Sequence, residues 1–194
     1  MEQIYILVEE ASMKEVLKKI LPKILAEKWI YETNYFIRAF EGKSDLFKSL
    51  PRQIMALSKK QGVKVGVVVL HDQDSADCKL LKVRLIKQMS AEESTPRLVR
   101  IICRELESWY IGDFKAISQA YPNFKYINYI NKAKFRNPET CNAEYELSKI
   151  LPEFQKISSA KAIAPFLKAE NNRSESFKQF VSGIQKFTNP IKHL

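Results

Sequence analysis

Apolar residues gather in four short runs along the chain: Ile4–Val8, Tyr35–Phe40, Val63–Leu70 and Arg97–Cys103. Each has the length and the β-branched or aromatic content of a strand. The third, VKVGVVVL, is almost continuous Val and Leu. That pattern suits a central strand of a parallel sheet, covered on both faces.

Between the runs, apolar positions recur at helical spacing. Val16, Leu17, Ile20, Leu21, Ile24 and Leu25 form one stripe, with Ser12 as N-cap and Glu15 completing a capping box. Ser44 caps a second helix through Leu46, Phe47, Leu50, Ile54 and Leu57. Pro22 and Pro51 stand inside these stretches and should kink or divide them. A third helix runs through Leu80, Leu81, Val83, Leu85 and Ile86, and a fourth from near Arg104 towards Ala120. The order βαβαβαβα predicts a doubly wound α/β domain, with a mainly parallel central sheet and helices on both faces. The order of the strands in space does not follow from the pattern.

After Ala120 the character changes. YPNFKYINYINKAKFRNPET is aromatic, basic and turn-rich, and reads as a long loop. Its aromatics, Tyr121, Phe124, Tyr126, Tyr129 and Phe135, alternate with Lys125, Lys132 and Lys134. This suits a stacking platform for single-stranded nucleic acid, or a loop pinned by its own aromatic rings. Helices are expected at about 142–151, 160–169 and 174–187. Residues 1–120 therefore read as the α/β core. Residues 121–194 read as a basic, mostly helical C-terminal extension packed on it in one compact unit.

Composition narrows the class. The 194 residues are 45% apolar, enough for one sizeable core. No apolar run approaches the ~18–20 residues of a membrane span, and MEQIYILVEE lacks the basic start of a secretory signal. A soluble cytoplasmic protein without membrane contact is expected. Cys78, Cys103 and Cys141 are odd in number and lack CxxC spacing, so free thiols are expected. With only His71 and His193 to help, a zinc site is not. The net charge is +10, and the segment after Ala120 holds 12 basic against 6 acidic residues. Such a balance suits a polyanionic partner such as nucleic acid, and equally a lysine-rich surface. Oligomeric state is left open.

The strand ends carry the candidate chemistry. In parallel α/β sheets ligands bind outside the carboxyl ends of the strands. The first run ends in Glu9 and Glu10, the second leads to Glu41, Lys43 and Asp45, the third ends in His71, Asp72 and Asp74, and the fourth in Arg104, Glu105 and Glu107. Carboxylates gathered at one edge repel one another, and a hard divalent cation relieves the repulsion. Asp72 and Asp74, two apart in extended chain, point the same way. Glu9 from a neighbouring strand joins them in a Mg²⁺ (or Mn²⁺) site, with Glu105 and Glu107 as further metal ligands. Lys43 and Arg104 supply the cationic complement for phosphate. A two-metal site can activate water and stabilise the leaving oxygen of a phosphodiester, and whether one or two metals bind does not follow from the residues. Taken singly, a strand-end acid is more often a helix cap or loop residue than a ligand, and Asp77 suits a helix start. His71 reads as a packed histidine, and Trp109 and Tyr110 as core. There is no GxSxG and no GxxxxGK[ST].

At these residues the chain resembles known groups. ILVEEASMKEVLKKILPKIL resembles the first motif of Toprim-like proteins, and VVVLHDQDSADC their Asp-x-Asp motif. FEGKSDLFKSLPRQI, HDQDSADCKLLK, CRELESWYIGD and NRSESFKQFVSGI together resemble a bacterial family catalogued as domain of unknown function 4276, with a Toprim-like Rossmannoid fold. The resemblance runs from Ile4 to about Phe187. It implies a Mg²⁺-dependent nuclease with Glu9, Asp72 and Asp74 as catalytic residues, Glu9 as general acid/base and the aspartates holding metal. It also implies an ATPase partner in anti-phage defence. Two positions depart from the Toprim pattern: Glu10 stands where glycine is usual, and Ala76 where a third aspartate is expected, with Asp77 one residue late. The departures leave an alternative, a degenerate non-catalytic module that binds nucleic acid or a partner protein.

Overall fold

In a computed structural model, which describes residues 1–90 and 94–189, the strands are β1 (Gln3–Val8), β2 (Tyr35–Ala39), β3 (Val65–Asp72) and β4 (Arg97–Ile102). All pair in parallel, in the order β2-β1-β3-β4. The chain winds outward from β1 to β2, then crosses back to β3 and on to β4. The winding therefore reverses between β1 and β3, and the carboxyl ends of those two strands flank the crevice where such sheets bind ligands.

The helices follow the apolar stripes. On one face lie α2 (Lys43–Ser58) and α3 (Cys78–Gln88), packed on Tyr5, Leu7, Val67, Val69, Val99 and Ile101. On the other lie α1 (Ala11–Ile24), α4 (Glu107–Gly112), α5 (Phe114–Ala120), α6 (Ala143–Ile150), α7 (Lys156–Ile163) and α8 (Glu175–Thr188). These cover Ile4, Ile6, Val8, Val68, Leu70 and Ile102 in one hydrophobic cluster that reaches from the first strand to Ile184. Strand alternation sends successive residues of β3 to opposite faces. His71 thus belongs to the α2/α3 side and Asp72 to the α1/α4 side.

Local differences from the expected pattern have physical causes. The prolines do not divide their helices: α1 continues past Pro22 and α2 past Pro51. Burial of Leu46, Leu50, Ile54 and Leu57 on the sheet stabilises α2 by about 1.5–3 kcal/mol per side chain, against about 3 kcal/mol for an interior proline. The first helix starts at Ala11 after an extended Glu10, and Ser12 lies within it and donates its hydroxyl to the Glu10 carboxylate. Gly42, at φ 92°, precedes α2, so that helix begins one residue before Ser44. The stretch expected as one helix from Arg104 is two, because Asp113 breaks it and caps α5 through the Ala116 N–H at 3.2 Å. The helix expected at 160–169 begins earlier, at Lys156, and passes into a 3-10 turn at Ala164–Phe166. Asp77 caps α3 by accepting from the Leu80 N–H at 2.8 Å.

The aromatic segment after α5 is pinned by its rings. Phe124 and Phe135 are buried, Tyr129 stacks on Phe124 at 5.0 Å between centroids, and Phe135 meets Phe114 edge-on at 5.1 Å. The three cysteines are free. Among the described residues no helix is long and apolar enough to cross a membrane. His193 lies outside the described residues.

Candidate metal centre

β3 runs two residues beyond its apolar stretch because His71 and Asp72 pair with Ile101 and Ile102 of β4. Asp72 is therefore the last residue of a central strand, only 8% exposed. Glu9 follows β1 directly, at the N-terminus of α1, where the helix dipole favours a carboxylate. Its Oε2 accepts from the Asp72 N–H at 3.3 Å and lies 3.2 Å from Nδ1 of His71. The same Nδ1 lies 2.5 Å from the Asp72 carbonyl oxygen. Both neighbours are acceptors, so Nδ1 carries a proton. His71 thus ties the ends of β1 and β3 together.

Burial is the largest influence on both acids. It raises the Glu9 carboxyl above its ordinary range, against the pull of His71. It raises Asp72 well above its own, reinforced by the charges of Glu9, Glu107, Glu10 and Asp74. Asp72 Oδ1 is buried without a hydrogen-bond partner.

Asp74 stands apart from the extended geometry expected of it. The strand has ended, and Asp74 takes a left-handed turn at φ 52°, its N–H bonded to the Arg104 carbonyl at 2.7 Å. Arg104, just after β4, is also left-handed, at φ 61°, and its N–H donates to Gln73 Oε1 at 3.2 Å. Two non-glycine residues in this region, hydrogen-bonded loop to loop, mark strain concentrated at the sheet edge. The Asp74 carboxylate is exposed and bonds Lys43 Nζ, on the first residue of α2, at 2.8 Å. Lys43 and Asp74 open onto a cavity of about 300 Å³, also lined by Phe47, Lys48, His71 and Arg84. Arg104, Asp74, Glu105 and Asn142 line a smaller one of about 180 Å³.

A second group of acids lies at the fourth strand end. Among the described residues, Glu105, Glu107 and Glu144 are the group of metal-capable side chains whose ligand atoms all come within 4.8 Å of one another. Glu9, Asp72 and Asp74 reach the same sheet edge but are not such a group. Glu107 opens α4 and is 1% exposed, with Oε1 buried and unpartnered. Burial pushes its carboxyl up to about 7. Glu105 Oε1 accepts from the Glu144 backbone N–H at 2.9 Å, joining the β4 end to α6. Lys156, opening α7, bonds Glu144 Oε2 at 2.9 Å. Burial works against its charge, but that bond and the charges of Glu107, Glu10 and Glu144 hold its ammonium above the ordinary range. The Tyr110 hydroxyl is buried and unpartnered beside these acids.

Glu144, Lys156 and the polar end of Tyr110 were not legible as site residues. Glu144 is 39 positions from Glu105, and only the packing of the extension joins them. The donors present are carboxylate oxygens, which suit a hard cation such as Mg²⁺ or Mn²⁺. The buried, unpartnered oxygens on Asp72 and Glu107 fit such an ion, because a buried carboxylate oxygen left unsatisfied costs free energy that a cation offsets.

No curated protein and no solved structure matches the chain. The family model described as domain of unknown function (DUF4276) matches residues 8–185, nearly the whole chain, and the protein belongs to that family.

Proposed function

We propose that the protein is a Toprim-like, divalent-metal-dependent nuclease that hydrolyses phosphodiester bonds of nucleic acid, working with an ATPase in anti-phage defence. The observation that carries the chemistry is Asp72: a carboxylate at the end of a central strand, at the reversal of winding, with one buried oxygen lacking any partner. A structural acid in that position would be capped by backbone N–H groups. Glu9 and Asp72 would hold the ion. When bound, it supplies Lewis acidity toward a phosphate oxygen and neutralises the gathered carboxylates.

The chain's own residues do the rest. The Asp72 N–H donates to Glu9 Oε2 at 3.3 Å and His71 Nδ1 lies 3.2 Å from the same oxygen, and together they fix the direction of that carboxylate. Lys43 and Arg104, on either side of Asp74, offer positive charge to a phosphate entering at the sheet edge. Lys48 and Arg84 extend that charge along the larger cavity, in line with a phosphate backbone lying across it.

The test is cleavage of single-stranded and plasmid substrates with Mg²⁺ or Mn²⁺, for the wild type and Asp72→Asn. Loss of activity should exceed the ~10–100-fold typical of losing a residue that only orients a metal ligand. Undiminished cleavage by the variant would overturn the assignment. One observation favours a second reading: the Asp74 carboxylate is already bonded to Lys43. A binding module without catalysis would retain nucleic acid in gel shifts and cleave nothing with either metal.

A further inference from the structure

The carboxylates at the fourth strand end form a group of their own, built by two parts of the chain distant in sequence. Glu105 comes from the turn after β4, Glu107 from the first residue of α4, and Glu144 from the first turn of α6 in the extension. Their ligand atoms lie within 4.8 Å of one another. Ligands on opposite sides of one hard cation are separated by about 4.2 Å for Mg²⁺ and about 5 Å for Ca²⁺, twice the ordinary bond length. The group is thus already on the scale of a single ion.

An acidic cluster alone would not point to a ligand, since acids also gather on solvated surfaces. Here the middle member is buried. Glu107 is 1% exposed, and its Oε1 has no hydrogen-bond donor. Its neighbours are held in place as well: Glu105 Oε1 grips the Glu144 backbone N–H, and Glu144 Oε2 holds Lys156 Nζ. Lys156 brings positive charge that acts on Glu107, but its bond is to Glu144 and not to the unpartnered oxygen. The cluster has a cation at its rim and a bare carboxylate oxygen inside.

We infer that Glu105, Glu107 and Glu144 form a second site for a hard divalent cation, with one ligand supplied by the C-terminal extension and Lys156 as the competing positive charge. The inference does not require the nuclease reading, because the site is defined by its own three ligands. A metal entering it displaces the Lys156 ammonium from Glu144. The fold of the extension and the occupancy of the site are then linked, since Glu144 and Lys156 open two successive helices.

Calorimetry with Mn²⁺ alone, paired with electron paramagnetic resonance to count bound ions, tests this on the full chain. Asp72→Asn, which disables the proposed catalytic position, should keep one saturable Mn²⁺. Adding Glu144→Gln should weaken that ion by roughly tenfold or more, because affinity for hard cations follows the charge of the ligand set. Lys156→Gln should tighten it. Glu144→Gln keeps the backbone N–H that Glu105 grips, and circular dichroism checks that it folds. Glu105→Gln is the second variant and should also weaken binding. Isotherms unchanged by both Glu144→Gln and Glu105→Gln would overturn the inference. So would loss of all Mn²⁺ in Asp72→Asn alone, which would support the catalytic position instead. Binding as expected with no cleavage of any substrate would leave this site standing and remove only the nuclease reading.

Discussion

At the scale of single residues, the buried acids separate into two kinds. Asp113 is 4% exposed but satisfied, because its carboxylate caps α5. Asp72 and Glu107 are as buried and carry an oxygen with no donor. The first kind holds the fold, and the second waits on something else. Asp113 gives a clean pH test because it stands outside the candidate metal centre. Burial raises its carboxyl above the ordinary range, against the backbone donors of Ala116, Lys168 and Lys115. The folded state therefore holds the proton more tightly than the unfolded chain. Its contribution to stability is complete below the unfolded pKa and is lost as pH rises through the folded one. Asp113→Asn keeps a good capping side chain and removes the charge. The variant should melt higher than wild type at neutral pH, and the gap should close in acid below the ordinary aspartate range. A gap that persists there would show that the charge is not the cause. Sequence alone marked Glu9 and Asp72 as candidates because they end the first and third apolar runs, which the structure sets side by side. It misread the geometry of Asp74, because a single left-handed residue leaves no trace in the hydrophobic pattern.

At the scale of elements, period and strand composition found all four strands and the main helical stripes. What they missed is the balance of competing local terms. Proline inside a helix reads as a break, yet α2 is continuous because its apolar face is anchored on β1 and β3. The missing N–H of Pro51 still leaves a carbonyl one turn earlier without its usual donor. Pro51→Ala restores that bond. An alanine is better than proline by about 3 kcal/mol in a helix interior, and the freer unfolded chain takes back about 0.4–1 kcal/mol. A net gain of about 2 kcal/mol is expected once relaxation of the existing helix is allowed for, or about 4–8 °C in Tm for a chain of this size. An unchanged or lowered Tm would mean that the ring itself packs usefully. The split of α4 from α5 was invisible for the opposite reason. Asp113 caps a helix in the middle of an apolar stretch, and period alone cannot distinguish that from a charged residue on a continuing helix.

At the scale of the whole molecule, the sheet and the C-terminal extension share one core. Phe177 and Phe180 of α8 pack on Trp109 at 4.8 and 5.3 Å between ring centroids, and the Trp109 indole N–H donates to Ser176 at 3.2 Å. Leu147 of α6 and Ile163 of α7 are fully buried in the same cluster as Ile4 and Val68. Burying each such side chain is worth about 1.5–3 kcal/mol, and a typical domain has only about 5–15 kcal/mol of net stability. Phe177, Phe180, Ile184, Leu147 and Ile163 together reach that whole margin. The α/β portion should therefore not fold without the extension, although its βαβ pattern reads as complete in itself. The full chain should unfold in one calorimetric transition whose enthalpy equals its van't Hoff value. A fragment of residues 1–120 should lack near-ultraviolet circular dichroism and a sigmoidal melt. A fragment that melts cooperatively would show that the sheet stands alone. The extension would then be an added layer, and Glu144 and Lys156 would be borrowed by the candidate metal centre rather than built in with the core.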